Sequence, residues 1–372
     1  MRLIGTYNLR FPVVVENATL WSEDDKLAIL TSKCIYIYDL LANPGNVTTK
    51  MNWKLKFIHN SEEVNPWQLD MDLNREKLFM ESIESDIGAI NMDKTLSPQM
   101  ESGKASFRQF IKGDWICPLS ISPKLISSNV RSDESYLLTL TSDHWVRLYG
   151  LSKTDCEWVL MKDISETLHS HLKSSNWETS QPHNVDTLRT RSYAQATVSF
   201  LWINKYQIFL LAQKNGDIFV LDKDLKVQSV FKGLNSLEMN LLFAVPRSQD
   251  FVLLACGIDG RIHGFKVNPE SLEFVALRMK IWNDPDMITI AQILLILNET
   301  NRMRLLVTKG CFIVYINIVG EEVEVEDAVA VSSSPINSII RTGEDAFIIM
   351  PLSRSLIVMN NDKAMNEFKE LN

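Results

Sequence analysis

The chain has 372 residues, of which 45% are hydrophobic and 23% charged, a balance that excludes a disordered or fibrous protein. Its formal net charge is −8 and its sequence pI near 5.4, so nucleic acid is not the default partner of its whole surface; a phosphate-gripping chain needs a basic excess.

Taken in order, the chain repeats one series: a strand-like run, a polar turn, a second apolar run, a tight turn, a third run and a more variable fourth. A separate strand-like segment, Met1–Arg10, comes first. The first unit is Asn17–Trp21, Lys26–Leu30, Cys34–Asp39 and Asn52–Ile58. The second is Pro66–Asp72, Lys77–Glu81, Ile87–Met92 and Phe107–Lys112. The third is Ile116–Ser122, Tyr136–Thr141, Trp145–Gly150 and Glu157–Met161, followed by a short helix over Asp163–Lys173. In that helix Ile164, Leu168 and Leu172 fall at four-residue spacing, with Asp163 or Ser165 as its cap. The fourth unit is Ala194–Trp202, Gln207–Ala212, Asp217–Leu221 and Lys226–Phe231. The fifth is Leu241–Pro246, Phe251–Ala255, Arg261–Val267 and Glu273–Met279. The sixth is Thr289–Leu297, Met303–Thr308, Cys311–Ile316 and Glu321–Glu326, and the seventh Ile336–Arg341, Ala346–Met350 and Ser355–Asn360. Long connections are expected at Asp93–Ser106, Pro123–Glu134 and Ser174–Ser192.

Second strands such as Phe209–Ala212 and Val252–Ala255 are apolar at every position, which predicts burial on both faces. Asn215-Gly216, Asp259-Gly260 and Lys309-Gly310 supply tight hairpin turns. Glu321–Glu326 alternates valine with carboxylate, as a solvated edge strand does. The seventh unit lacks a fourth strand, and Met1–Arg10 is a spare one. A ring that closes by borrowing a terminal strand has this arrangement, and closure removes sheet edges that would pair with other chains. The expected fold is all-β: a seven-bladed WD40-like β-propeller over residues 1–361, closed by the N-terminal strand, with short peripheral helices and a short helical tail at 362–372.

No signature of catalysis is present. The chain has no phosphate-binding G-x-x-x-x-G-K-[ST] loop, no G-x-S-x-G elbow and no H-E-x-x-H. His169 and His171 form an H-x-H pair, but residues two apart on a helix point different ways. The five cysteines are scattered with no C-x-x-C, which predicts reduced, mostly buried thiols and an intracellular protein. Apolar runs reach about eight residues, far below the ~20 that span a bilayer, so no membrane partner is expected. The reading is a non-enzymatic binding platform with no cofactor and no metal. Candidate partner-binding residues are Trp177, in the connection Ser174–Ser192, and Arg189 and Arg191. With Lys205 and Lys214 these arginines lie in an acid-free stretch, 187–216, which either forms one basic patch or spreads its charges over different faces.

Four segments resemble one known family. Ala18–Leu30 followed by Ile35–Leu40 is similar to the opening blade of the delta-type subunit of transcription factor IIIC. Leu137–His144 with Val146–Tyr149, Trp158-Val159 with Asp163–Ser165, and Arg191–Ala194 match in order and spacing, so the likeness covers about residues 15–225. The resemblance implies a nuclear scaffold subunit of the complex that serves RNA polymerase III at transfer RNA and 5S ribosomal RNA genes. Implied partners are other subunits of transcription factor IIIC, especially another WD-repeat propeller subunit, and transcription factor IIIB with its TATA-binding protein through the complex. DNA contact is implied to be weak or indirect. A scaffold propeller of a vesicle coat or nuclear pore is the alternative. Family members usually continue into a region with zinc-ligand-like cysteines and histidines; this sequence ends at Asn372 without it, as a truncated form or a short relative would. An acetyltransferase activity suggested for this type of subunit is not expected: Arg147–Ser152 is the nearest approach to the acetyl-CoA motif [QR]-x-x-G-x-[GA] and fails at its last position.

Overall fold

In the computed structural model, the described residues are 19–21, 26–41, 52–60, 63–88, 121–131, 134–151, 157–174, 185–232, 234, 237–282, 284–299, 302–341, 346–351 and 357–360. They form six sheets, each built on an antiparallel meander, to which the fifth adds one parallel strand. The first is Thr19–Trp21, Lys26–Leu30, Cys34–Leu41 and Asn52–Asn60. The second is Pro123–Arg131, Glu134–Thr141, Val146–Leu151 and Trp158–Asp163, and the third Thr197–Ile203, Ile208–Gln213, Ile218–Leu221 and Val227–Phe231. The fourth is Met239–Pro246, Phe251–Gly257, Ile262–Val267 and Phe274–Ala276, and the fifth Ile290–Asn298, Arg302–Lys309, Phe312–Val319 and Glu322–Ala330. The sixth has three strands among the described residues, Ile336–Arg341, Ala346–Pro351 and Ile357–Asn360.

The core lies between successive sheets, and the strand period of two divides it. Phe209 and Leu211 face the second sheet, while Leu210 and Ala212 face the fourth. Leu305 and Val307 face the fourth sheet, and Leu306 between them faces the sixth. This two-sided burial is why the second strands read as unbroken apolar runs. Full burial of one such leucine stabilises by about 1.5–3 kcal/mol.

The first strand of each sheet neighbours that of the next, and Thr19–Trp21 neighbours Ile336–Arg341, so the neighbours run back to their start. In the second to sixth sheets this strand skips one residue just inside its beginning: Lys124, Val198, Asn240, Ala291 or Asn337. A bulge bends a strand and raises its twist locally, as a barrel rim requires.

Several expectations are corrected. Pro66–Asp72 and Lys77–Glu81 are not strands; a single helix, α1, runs from Pro66 to Gly88. Asn65 caps it, accepting from the Trp67 amide (3.2 Å), and Pro66 takes the first helical position, where its missing N–H costs nothing. The other strands expected in that unit, Ile87–Met92 beyond Gly88 and Phe107–Lys112, lie outside the described residues, among which six sheets stand. Pro123–Arg131, expected as a connection, is the first strand of the second sheet. Helix α2, Ile164–Leu172, is where expected and is capped by Asp163. The connection Ser174–Ser192 instead contains much of helix α3, Val185–Gln195. The expected strand Glu273–Met279 divides. Phe274–Ala276 stays in the fourth sheet, while Arg278–Met279 crosses over and pairs in parallel with Glu322–Val323. The acidic strand is therefore not wholly an edge. The closing strand Met1–Arg10 and the tail 362–372 lie outside the described residues.

Candidate partner-binding face

Helices α1, α2 and α3 gather at one end of the second and third sheets, and a five-residue turn, Thr141–Trp145, anchors them. Inside the turn the Thr141 hydroxyl donates to the Asp143 carboxylate (2.5 Å) and the His144 amide to the Thr141 carbonyl (2.9 Å). Asp143 is wholly buried. Its other carboxylate oxygen accepts from the Asn65 amide (2.7 Å), and its carbonyl accepts from the Asn65 side chain (3.1 Å). The residue that caps α1 thus also fixes it to the second sheet. The Trp145 indole donates to Asp163 (2.9 Å), whose other oxygen accepts from the Glu166 amide (3.0 Å) and starts α2. Ser165 on α2 accepts from the Val146 amide (2.9 Å).

His144 ties this turn to the next sheet. Its Nδ1 lies 2.8 Å from the Thr197 carbonyl, which can only accept, so the proton sits on Nδ1. Burial, then the nearby Lys124 charge, lowers its pKa to about 3, and the ring is neutral at ordinary pH. Its backbone is left-handed, with φ 63°.

α1 docks by polar side chains. Gln68, Asp72 and Arg75, spaced four and three apart on one face, are buried, while Leu73 is exposed. Gln68 donates to the Ser192 carbonyl (3.1 Å) on α3 and accepts from the Ser192 hydroxyl (2.7 Å). Arg75 pairs with Asp72 at 3.3 Å. The Trp67 ring stacks on His169 of α2 at 4.5 Å, and Gln195 bridges the two, bonding His169 Nδ1 (2.9 Å) and the Trp67 carbonyl (3.3 Å). His171 instead meets the edge of Phe219, so the two histidines of the H-x-H pair part as expected.

Arg189 and Arg191 both lie on α3. Arg189 is exposed; its Nε donates to the Tyr193 hydroxyl (3.1 Å) and its guanidinium sits 5.4 Å from that ring. Lys214 approaches the same ring, also at 5.4 Å, and pairs with Glu238 at 3.7 Å. Lys205 is elsewhere, beside the Arg247 carbonyl at the turn between the first two strands of the third sheet. The acid-free stretch is thus split: Arg189 and Lys214 converge on Tyr193, and Lys205 does not join them. Arg191 is half-buried, and Trp177 lies outside the described residues. Tyr193 was missed in the sequence, where only its neighbouring charges gave a signal.

Among the described residues no three His, Cys, Asp or Glu side chains gather as metal ligands would. The profile of the transcription factor IIIC subunit delta β-propeller domain matches residues 21–256, which include all three helices and the turn that anchors them. No curated protein sequence matches the chain. Among solved structures, the Raptor protein of Chaetomium thermophilum is similar, with a TM-score of 0.55 at 11% identity. That likeness covers 97% of this chain and 25% of Raptor, so the chain spans about a quarter of that protein's length, and what the two share is the fold.

Proposed function

The chain belongs to the transcription factor IIIC subunit delta β-propeller family, and from that membership we propose that it is a non-enzymatic assembly subunit of transcription factor IIIC, acting in the nucleus. It binds other subunits, among them another propeller-bearing one, and through them helps bring transcription factor IIIB to transfer RNA and 5S ribosomal RNA genes. The observation that carries this reading is the family match over residues 21–256, and the helical cap lies inside it. α2 is packed into the core through Ile164, Leu168 and Leu172, and buried polar contacts join α1 to the second sheet and to α3, which fixes a surface of definite shape. A surface so fixed loses little conformational entropy on binding. The overall acidity favours protein partners over direct DNA contact, and Arg189 with Lys214 at Tyr193 is the feature we assign to partner contact.

The test is co-purification. The full chain, tagged and expressed with the remaining subunits of transcription factor IIIC, is expected to bring them down stoichiometrically and, alone, to bind DNA weakly with a shallow salt dependence. Recovery of coat or pore components in place of transcription factor IIIC subunits would sink the reading. So would DNA affinity of the isolated chain equal to that of the whole complex.

A further inference from the structure

A second surface lies where the fourth sheet passes to the fifth, outside residues 21–256. Residues 284–288 are all exposed, and they present Met287, the most exposed large hydrophobic side chain among the described residues at 69%, with Ile288 at 46%. Ile258, in the neighbouring turn of the fourth sheet, and Phe312, two residues past Gly310 in the fifth, are exposed as well. Exposed apolar side chains that lie together mark a contact site, where single ones do not, and Met287 and Ile288 are adjacent.

The backbone that carries it is held hard. The amides of Asp286 and Met287 both donate to the Asp259 carbonyl (3.1 Å each), and the Ile288 amide donates to the Asp286 carboxylate (2.9 Å). Lys309, buried beneath, donates to the Gly260 carbonyl (2.6 Å), the Ile288 carbonyl (2.9 Å) and Asp286 (3.0 Å), with its ammonium 4.7 Å from the Trp282 ring. Against this clamp two ordinary residues keep left-handed backbone, Trp282 (φ 40°) and Met287 (φ 59°). Non-glycine residues persist in that region only where surrounding contacts over-determine them, and such positions cluster at binding sites. The connection thus spends its hydrogen bonds on holding two apolar side chains out into water.

We propose that Met287 and Ile288 form a preset anchor that seats in an apolar pocket on another subunit of the same complex, a pocket with a basic rim that meets the carboxylate of Asp284. Charge selects that rim: the Asp286 carboxylate is already paired with the buried Lys309 (3.0 Å), which leaves Asp284, exposed just before the anchor, to present the negative charge. Preformed apolar anchors of this sort dominate interface energetics, because their ordering is complete before binding. The proposal rests on the assembly role argued above.

The experiment is the same co-purification carried out with variants of the full chain. Met287→Glu with Ile288→Glu is expected to lower retention of partner subunits at least tenfold, while Val159→Glu with Met161→Glu, on an equally exposed strand, leaves it unchanged. Thermal melting checks that each variant is folded. Asp284→Lys, a surface change that leaves the clamp intact, is expected to weaken binding severalfold at low salt and little at high salt. Wild-type retention by the folded Glu pair, or by Asp284→Lys at low salt, overturns the proposal. If the wild-type chain itself brings down no partner subunit, the assembly role fails first and this anchor with it.

Discussion

At the scale of a residue, His144 makes a pH dependence that can be given a sign. Unfolded, its imidazole titrates near 6.5; folded, burial and then Lys124 hold it at about 3. Between these values the unfolded chain binds the extra proton, so acid favours unfolding. The stabilisation is complete above pH 6.5 and drains away as pH falls toward 3, by about 2 kcal/mol at pH 5. His144→Asn keeps a residue that tolerates φ 63° and removes the titration. Denaturant melts at pH 7 and pH 5 are expected to show the variant's loss on acidification smaller than the wild type's by about that amount; equal losses would remove His144 as the cause. A second residue-scale comparison concerns two glycines with positive φ. A Cβ on Gly260 would run into the Asp286 carboxylate and lie 2.8 Å from the Ile288 carbonyl, whereas one on Gly310 would meet only an Ile288 methyl at 3.2 Å. Both alanines carry left-handed strain of about 1–2 kcal/mol, and Gly260→Ala adds a clash with the clamp around Lys309. Urea unfolding is expected to rank Gly260→Ala as the more damaging by at least about 1 kcal/mol.

At the scale of an element, α1 shows both a dependence to test and the limit of what can be read from sequence. Asn65→Ala removes the helix cap and the side-chain bond to the Asp143 carbonyl, but leaves the backbone bond from Asn65 to Asp143. The expected cost is about 1–2 kcal/mol. Hydrogen exchange should show it as faster opening of 66–75 with the third and fourth sheets unaffected; protection as in the wild type would mean the cap does not govern docking. The strands of the third to sixth sheets were legible because burial on both faces makes apolar runs and because glycines mark their turns. α1 departs from the strand expectation for a specific reason. Trp67, Leu69, Met71 and Leu73 alternate with Gln68, Asp70, Asp72 and Asn74, which is the pattern of a half-buried strand. The helix contradicts it by burying Gln68, Asp72 and Arg75 at helical spacing and leaving Leu73 in water. That inversion depends on Ser192 and Asp143, 124 and 78 residues from their partners, and no local pattern encodes such contacts. The same holds for the candidate site. The charges of Arg189 and Lys214 were visible, but their meeting at Tyr193 needed the turn of the third sheet to come beneath α3.

At the scale of the whole molecule, each sheet from the second to the fifth shares its core with the sheets on either side, so stability is a sum of sheet and interface contributions, as in other repeat architectures. Side chains near the bulges of the first strands stitch the interfaces. The Asn240 amide donates to the Ile290 carbonyl (3.1 Å), and Gln292 Oε1 accepts from the Ile339 amide (2.8 Å) and the Ser338 hydroxyl (3.0 Å). The second stitch matters more, because among the described residues the sixth sheet meets the fifth through a small cluster and meets the first through its opening strand. Gln292→Leu keeps the bulk but takes its side-chain acceptor from the buried Ile339 amide, at a cost of about 1–3 kcal/mol. If the sheets unfold as separable units, that cost appears as raised hydrogen exchange in 336–341 and 346–351, with the third and fourth sheets still protected and the main thermal transition little changed. If the circuit of neighbours through Thr19–Trp21 couples every sheet to every other, the same substitution lowers protection everywhere by a similar free energy and the transition moves as one. We expect the first outcome with one exception: the first sheet, which meets the sixth strand to strand, should loosen along with it.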